Sequence, residues 1–348
     1  MKKLLTLLLL TASAISTFAC STFLLNKNGQ LVFGRNYDWV SGNGILLVNA
    51  AGLQKQAFLT SDIQPISWTS QYGSVTFNQF GKEMPHGGMN EKGLVVELMW
   101  LQGTSYPAAD KRAALNELQW IQYQLDNCAS IEDVLATDKK IRIDRQHAAP
   151  LHYLVADASG KAATIEFLDG KTVVHQGSRL PAPVLTNSTY QSSVAQLDPS
   201  TRSKETNNSL DRFTKACHML QQYQQGNNTT APVDYAFNIL NNVSQAQYTK
   251  WSIVYDITNR QIHFTTNGHN QRRSLAFADL DFKCGSQAKS IDINTALKGN
   301  IAGNLTALDA PQNLRVIRRS VEESRTHLQI TEESIVALGK YFSSVSCK

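Results

Sequence analysis

After an apolar leader, the first hundred residues alternate between short apolar stretches and turn-forming residues. Residues 21–25 and 30–33 read as a β-hairpin closed by Asn26-Lys27-Asn28-Gly29. Further strands are predicted over 45–49, 56–59, 74–77 and 93–99. The period changes near residue 111. Leu115, Leu118, Ile121 and Leu125 share one face of a helix predicted over 111–125, with Asp110 as its N-cap. A shorter helix is predicted over 130–136. Strands return over 152–156, 163–167 and 172–175, and the polar stretch 191–208 reads as a loop or loose lead-in. Helices are predicted over 210–222 and 233–241, the second with Pro232 at its start. A hairpin follows over 251–256 and 261–265, then an irregular stretch over 294–304 and a last helix over 332–342. Blocks of strands between helix pairs predict an α+β fold with layered antiparallel sheet, not a wound βαβ fold.

The leader has the layout of a secretory signal: Lys2 and Lys3, an apolar run, then small residues ending at Ala19. Thr17 and Ala19 occupy the small-residue positions before a cut that would expose Cys20. Three roles then compete for Cys20. It is an N-terminal nucleophile carrying its own amine as base, or a lipid-anchored cysteine. In the third, the cut falls after Ala14 and Cys20 is an ordinary thiol. Thr17 and Phe18 fit a lipoprotein signal poorly.

The chain has 348 residues, and removing 19 leaves enough for one large domain or two modest ones. No later stretch is long and apolar enough to span a bilayer. Loss of Lys2 and Lys3 lowers the formal charge from +5 to +3, too little and too scattered for nucleic acid. Arg272-Arg273 is only a doublet. The five cysteines lack zinc-ligand spacing, so no metal and no cofactor is expected. Their odd number leaves one thiol unpaired, for which Cys20 is the natural candidate. A Cys284–Cys347 bridge would pin the tail, a pairing that position alone leaves open.

The returning strand of the first hairpin runs into Gly34-Arg35-Asn36-Tyr37-Asp38-Trp39. Pairing with the first strand brings Arg35 and Asp38 back toward Cys20. A guanidinium there lowers a thiol pKa, and a carboxylate orients an amine. A free α-amine titrates at about 7.7–8.0, so it suits proton transfer near neutrality. The alternative is an Arg–Asp surface pair at a strand end.

Cys20 followed by this hairpin resembles the start of the choloylglycine hydrolase and penicillin V acylase family. Further matches follow in order: Gly88-Met89-Asn90-Glu91-Lys92-Gly93-Leu94, Leu185-Thr186-Asn187-Ser188, Ser209-Leu210-Asp211-Arg212-Phe213 and the segment from Thr249 to Asp256. Each is short, but together they span most of the chain after Ala19, and they favour the cut before Cys20.

The resemblance implies an N-terminal nucleophile hydrolase with a four-layer αββα architecture. Residues 1–19 are then the signal peptide and 20–348 a single catalytic domain. It implies Cys20 as nucleophile, Asp38 positioning its amine, Arg35 supporting the thiolate, Asn187 donating to the oxyanion, and Arg212 completing the polar network. Bland alternatives are a turn residue for Asn187 and a surface ion pair with Asp211 for Arg212. Asn90 reads as structural. His86, before two glycines, reads as a solvent-facing loop histidine and not as a base. Trp100 stands where bile-salt-hydrolysing relatives carry asparagine. There the second oxyanion donor is a backbone N–H, so the side chain changes only the pocket wall. Trp39 and Trp100 are thus candidates for substrate binding, with plain core packing as the alternative. The expected substrate is a small-molecule amide with an apolar or aryl acyl group, of penicillin V or N-acyl homoserine lactone type. Bile salt hydrolysis and a non-catalytic lipid-anchored binding protein are the alternatives. Export to periplasm or medium is expected. The short segment between Asn187 and Arg212 lacks the insertion that supports tetramers in relatives, leaving the choice of homo-oligomer, dimer or tetramer, open.

Overall fold

The stretch Val95–Trp100 is apolar on both faces because both faces are covered. In the computed structural model, which describes residues 20–59, 64–146, 148–202, 207–285 and 287–347, Val95 and Met99 point into the core between two sheets. Val96 and Leu98 face a second core beneath helices. The predicted leader lies outside the described residues.

One sheet has seven strands, in the spatial order Val184–Leu185, Ser21–Lys27, Gln30–Asp38, Thr249–Asp256, Gln261–Thr266, His269–Ala276 and Gly299–Asn300. The other has nine, with Leu151–Ala156 and Val95–Trp100 adjacent as its third and fourth strands. Among the described residues, pairing within these two sheets is antiparallel apart from the last pair of the first. Helices α1 (Glu117–Asn127) and α2 (Ile131–Thr137) seat Trp120, Ile121, Leu125 and Val134 on the outer face of the nine-stranded sheet. After the short α3 (Tyr190–Ala195), α4 (Asn208–Gln225) and α5 (Pro232–Asn242) cover the other sheet with Phe213, Leu220, Ile239 and Leu240. The order of layers is helix, sheet, sheet, helix, as expected. A last pair, α6 (Ala310–Ser324) and α7 (Glu332–Tyr341), joins Phe80 and Met84 through Ile317, Val321 and Ile335. Among the described residues no helix is long and apolar enough to cross a membrane.

Several boundaries differ from the sequence expectation. The first helix starts at Glu117, because Asn116 accepts from the amides of Leu118 and Gln119. Asp110 instead binds Arg112, and Ala113–Leu115 is a strand paired with Ile141–Ile143. The strand expected at 56–59 is Leu53–Gln56. The polar stretch 191–208 contains most of α3, capped by Thr189. Two of the elements not anticipated bear on the site. One is α6, opened by an Asp309/Gln312 capping box. The other is the buried strand Pro85–Asn90. Cys284 and Cys347 are bonded, and the adjoining Ser346–Cys347 pairs with Leu53–Gln56.

Candidate active site

The first hairpin turns on Asn28 and Gly29, both at positive φ (54° and 80°), the pairing a tight two-residue turn requires. Its register sets Thr22 opposite Arg35 and Ser21 opposite Asn36, so the strand end carrying Asp38 returns to Cys20. Gly34 is needed in that strand, since a Cβ would lie 2.3 Å from the Phe23 ring. Cys20 is buried, with its thiol 3.9 Å from the Asp38 carbonyl oxygen.

Burial raises the Cys20 thiol above its usual pKa, and the Arg35 charge is the largest effect opposing it. The resting group is therefore a thiol, and the thiolate-favouring effect expected of Arg35 does not prevail alone. Burial likewise pushes Cys128 and Cys217, the other unpaired cysteines described, up to about 12. Asp38 is raised from 3.8 to about 6 by burial, offset by its Thr249 hydrogen bond and by Arg212 and Arg35. Its Oδ1 accepts from the Thr249 hydroxyl, while its buried Oδ2 has no hydrogen-bond partner among the described residues.

Arg212 turns inward from α4, whereas Asp211 faces solvent, so the two do not form the surface pair considered above. One guanidinium nitrogen donates to the Cys20 carbonyl at 2.7 Å and to Ser21 Oγ at 2.6 Å. The other donates to Asn187 Oδ1 at 3.1 Å, and Nε donates to Asn208 at 2.8 Å. Burial lowers its pKa to about 10, against the pull of Asp38 and Cys20, so it stays charged at neutral pH. Because arginine only donates, Asn187 must turn its oxygen to Arg212 and its amide nitrogen away. That nitrogen donates to the Trp100 carbonyl at 2.7 Å, which uses one of its two N–H groups.

Arg35 is not a surface residue. It is fully buried and its Nη1 lies 2.7 Å from Glu97 Oε2. Burial raises Glu97 to about 7, against Arg35 and the Tyr255 hydroxyl, which donates to it. Glu97 was not singled out from the sequence. The available signal is a lone carboxylate in the apolar run Val95–Trp100, which needs a buried partner. Thr249 likewise carries no signal of its own beyond its place in the segment from Thr249 to Asp256.

Cys20 and Asp38 open into a cavity of about 600 Å³. Trp39 and Trp100 both line it, their ring centroids 6.1 Å apart, so neither is simply core. Leu98, Phe80 and Met84 add apolar wall, and the connection between α6 and α7 adds His327, Leu328 and Ile330. Trp39 is fixed by donating its ring N–H to Ser324 at 3.0 Å. His86 also lines the cavity. It is buried in a strand and not in a solvent-facing loop. Burial and then the Arg35 charge lower it to about 3, so it stays neutral near pH 7 and is no base there. Asn90 is structural: its side chain binds the carbonyls of Leu125 and Cys128 and closes the following turn.

Residues 20–210 match the model of the linear amide C–N hydrolases, choloylglycine hydrolase family. A penicillin V acylase of Pectobacterium atrosepticum is 29% identical over 238 residues, which are 61% of this chain and 62% of that protein. The match thus spans less than two thirds of that relative. The structure of a penicillin V acylase from Agrobacterium tumefaciens superposes with a TM-score of 0.71 at 26% identity, covering 83% of this chain and 98% of that one. A conjugated bile acid hydrolase variant from Clostridium perfringens shares the fold, with a TM-score of 0.66 at 18% identity over 80% of this chain and 98% of that one.

Proposed function

The chain belongs to the choloylglycine hydrolase family of linear amide C–N hydrolases, and from that premise we propose that it cleaves small amides carrying an apolar or aryl acyl group. The observation that carries this reading is the position of Cys20, buried at the wall of an apolar cavity with its own carbonyl held by Arg212. Cleavage after Ala19 supplies the base that the raised thiol requires. The new α-amine takes the thiol proton as sulfur attacks the substrate carbonyl, then gives it to the departing amine. Water attacks the resulting thioester, releases the acid and restores the thiol. Asp38, with a buried oxygen otherwise unpartnered, orients the amine. Arg35 supports the thiolate, and the second Asn187 N–H stabilises the oxyanion.

The tryptophan pair and the two penicillin V acylase relatives favour phenoxyacetyl or alkyl acyl groups over steroids. Processing before Cys20 implies export. The test is a panel of penicillin V, an N-acyl homoserine lactone and glycocholate on wild type and Cys20→Ala, with the mature N-terminus weighed. Turnover of the first two that disappears in the variant supports the proposal. Preference for glycocholate would reassign the substrate, and a lipid adduct on Cys20 would exclude the mechanism.

A further inference from the structure

Behind the loop that carries Asn187 lies a buried His–Glu pair that the chemistry above does not use. His152 stands in Leu151–Ala156, opposite Met99, and Glu166 in Ala162–Leu168. Both side chains are fully buried. His152 Nδ1 is 3.2 Å from Glu166 Oε1, and its Nε2 is 2.7 Å from the carbonyl oxygen of Thr186, the residue before Asn187. A carbonyl only accepts, so Nε2 carries a proton and donates it. Glu166 Oε1 also accepts from the Tyr190 backbone N–H at 2.9 Å, where α3 begins. The pair therefore holds both ends of the segment 186–190. Ser209 holds it as well, its Oγ accepting from the Asn187 backbone N–H at 2.9 Å.

We infer that His152 and Glu166 are positioning residues for Asn187, fixing where its amide stands relative to Cys20. The role of Asn187 as oxyanion donor rests on the amide hydrolysis proposed above. A buried polar pair adds little stability over an apolar one of the same volume. Its directed contact is with the loop, and a displacement near 1 Å in a reacting constellation costs about 100-fold in rate.

The isosteric Glu166→Gln keeps the volume and replaces the carboxyl group by an amide. It should lower kcat about tenfold to a hundredfold, with KM within about twofold. Cys20 should still react with iodoacetamide at the wild-type rate, since the nucleophile is untouched. His152→Gln, whose amide can reach the Thr186 carbonyl, should recover part of the kcat that His152→Leu loses. Hydrogen exchange reads the positioning without catalysis: the amides of 186–190 should exchange faster in Glu166→Gln while the central strands do not. Unchanged exchange in that segment, or unchanged kcat in a folded Glu166→Gln, overturns the inference. If the wild type turns over no amide while Glu166→Gln still exchanges faster over 186–190, the hydrolase proposal fails and the positioning stands.

Discussion

Arg212 fixes which way Asn187 faces: a guanidinium accepts nothing, so the amide oxygen turns to it and one amide N–H donates to the Trp100 carbonyl. The same guanidinium holds the carbonyl of Cys20. One side chain thus spaces the proposed nucleophile and the proposed oxyanion donor. Arg212→Lys replaces the rigid planar fork by a point charge on a flexible stem and loses the fixed spacing of the two contacts. It should lower kcat about 100-fold or more with KM little changed, the scale of losing one oxyanion donor. Steady-state kinetics decide it, and a near-normal kcat would separate Arg212 from the chemistry.

Asp38 couples stability to pH. Burial raises its pKa from 3.8 to about 6, so the folded chain holds this proton more tightly than the unfolded one. Stability from this group is present below about pH 4 and is lost as pH rises through about 6. In a chain still carrying residues 1–19, Asp38→Asn should therefore stabilise at about pH 8, by up to about 3 kcal/mol, and give no gain near pH 4. Denaturant titrations at both values measure the difference. The processed variant should lose amide turnover all the same, trading activity for stability.

The paired indoles make a separable prediction. Trp100→Ala keeps the backbone carbonyl that holds Asn187 but removes half of the aromatic wall facing Trp39. KM for aryl or long-alkyl amides should rise about tenfold, near the 1.4 kcal/mol expected of an aromatic contact, with kcat changed far less. Short-chain amides serve as the control and should be affected less.

The Cys284–Cys347 bridge closes 63 residues of chain that include α6 and α7. Cys284→Ser with Cys347→Ser should lower unfolding free energy by about 2–4 kcal/mol. Leu328, Ile330 and Leu338 from this stretch line the cavity, so KM for bulky acyl groups should rise as well. Reduction of the wild type should reproduce both effects, read by thermal unfolding and kinetics.

The layered architecture was legible because local pattern and global layer agree. The hairpin before Arg35, the strands near 45–49 and 74–77, and α4 and α5 all bury the faces their periodicity marks. The misses have physical reasons. Leu115 suits a helical face and a strand equally, and only the Asn116 cap separates them. His86-Gly87-Gly88 reads as a turn because glycine pairs usually punctuate, yet here they are strand residues beside Glu97. Cys20, Asp38, Asn187 and Arg212 do meet in space, but the sequence does not show that Arg35 is spent on Glu97. Nor does it show that the last sixth of the chain walls the cavity, because that contact is non-local.

Gly87 is a strand glycine because of Glu97: a Cβ there would lie 2.0 Å from a carboxyl that Arg35 and Tyr255 hold in place. The two positions are therefore not free to drift separately. A side chain at 87 becomes acceptable only after the acid at 97 is gone, and losing that acid first strands the buried charge of Arg35. Both single-step routes pass through an impaired intermediate, so this contact should behave as one inherited unit when the chain diverges.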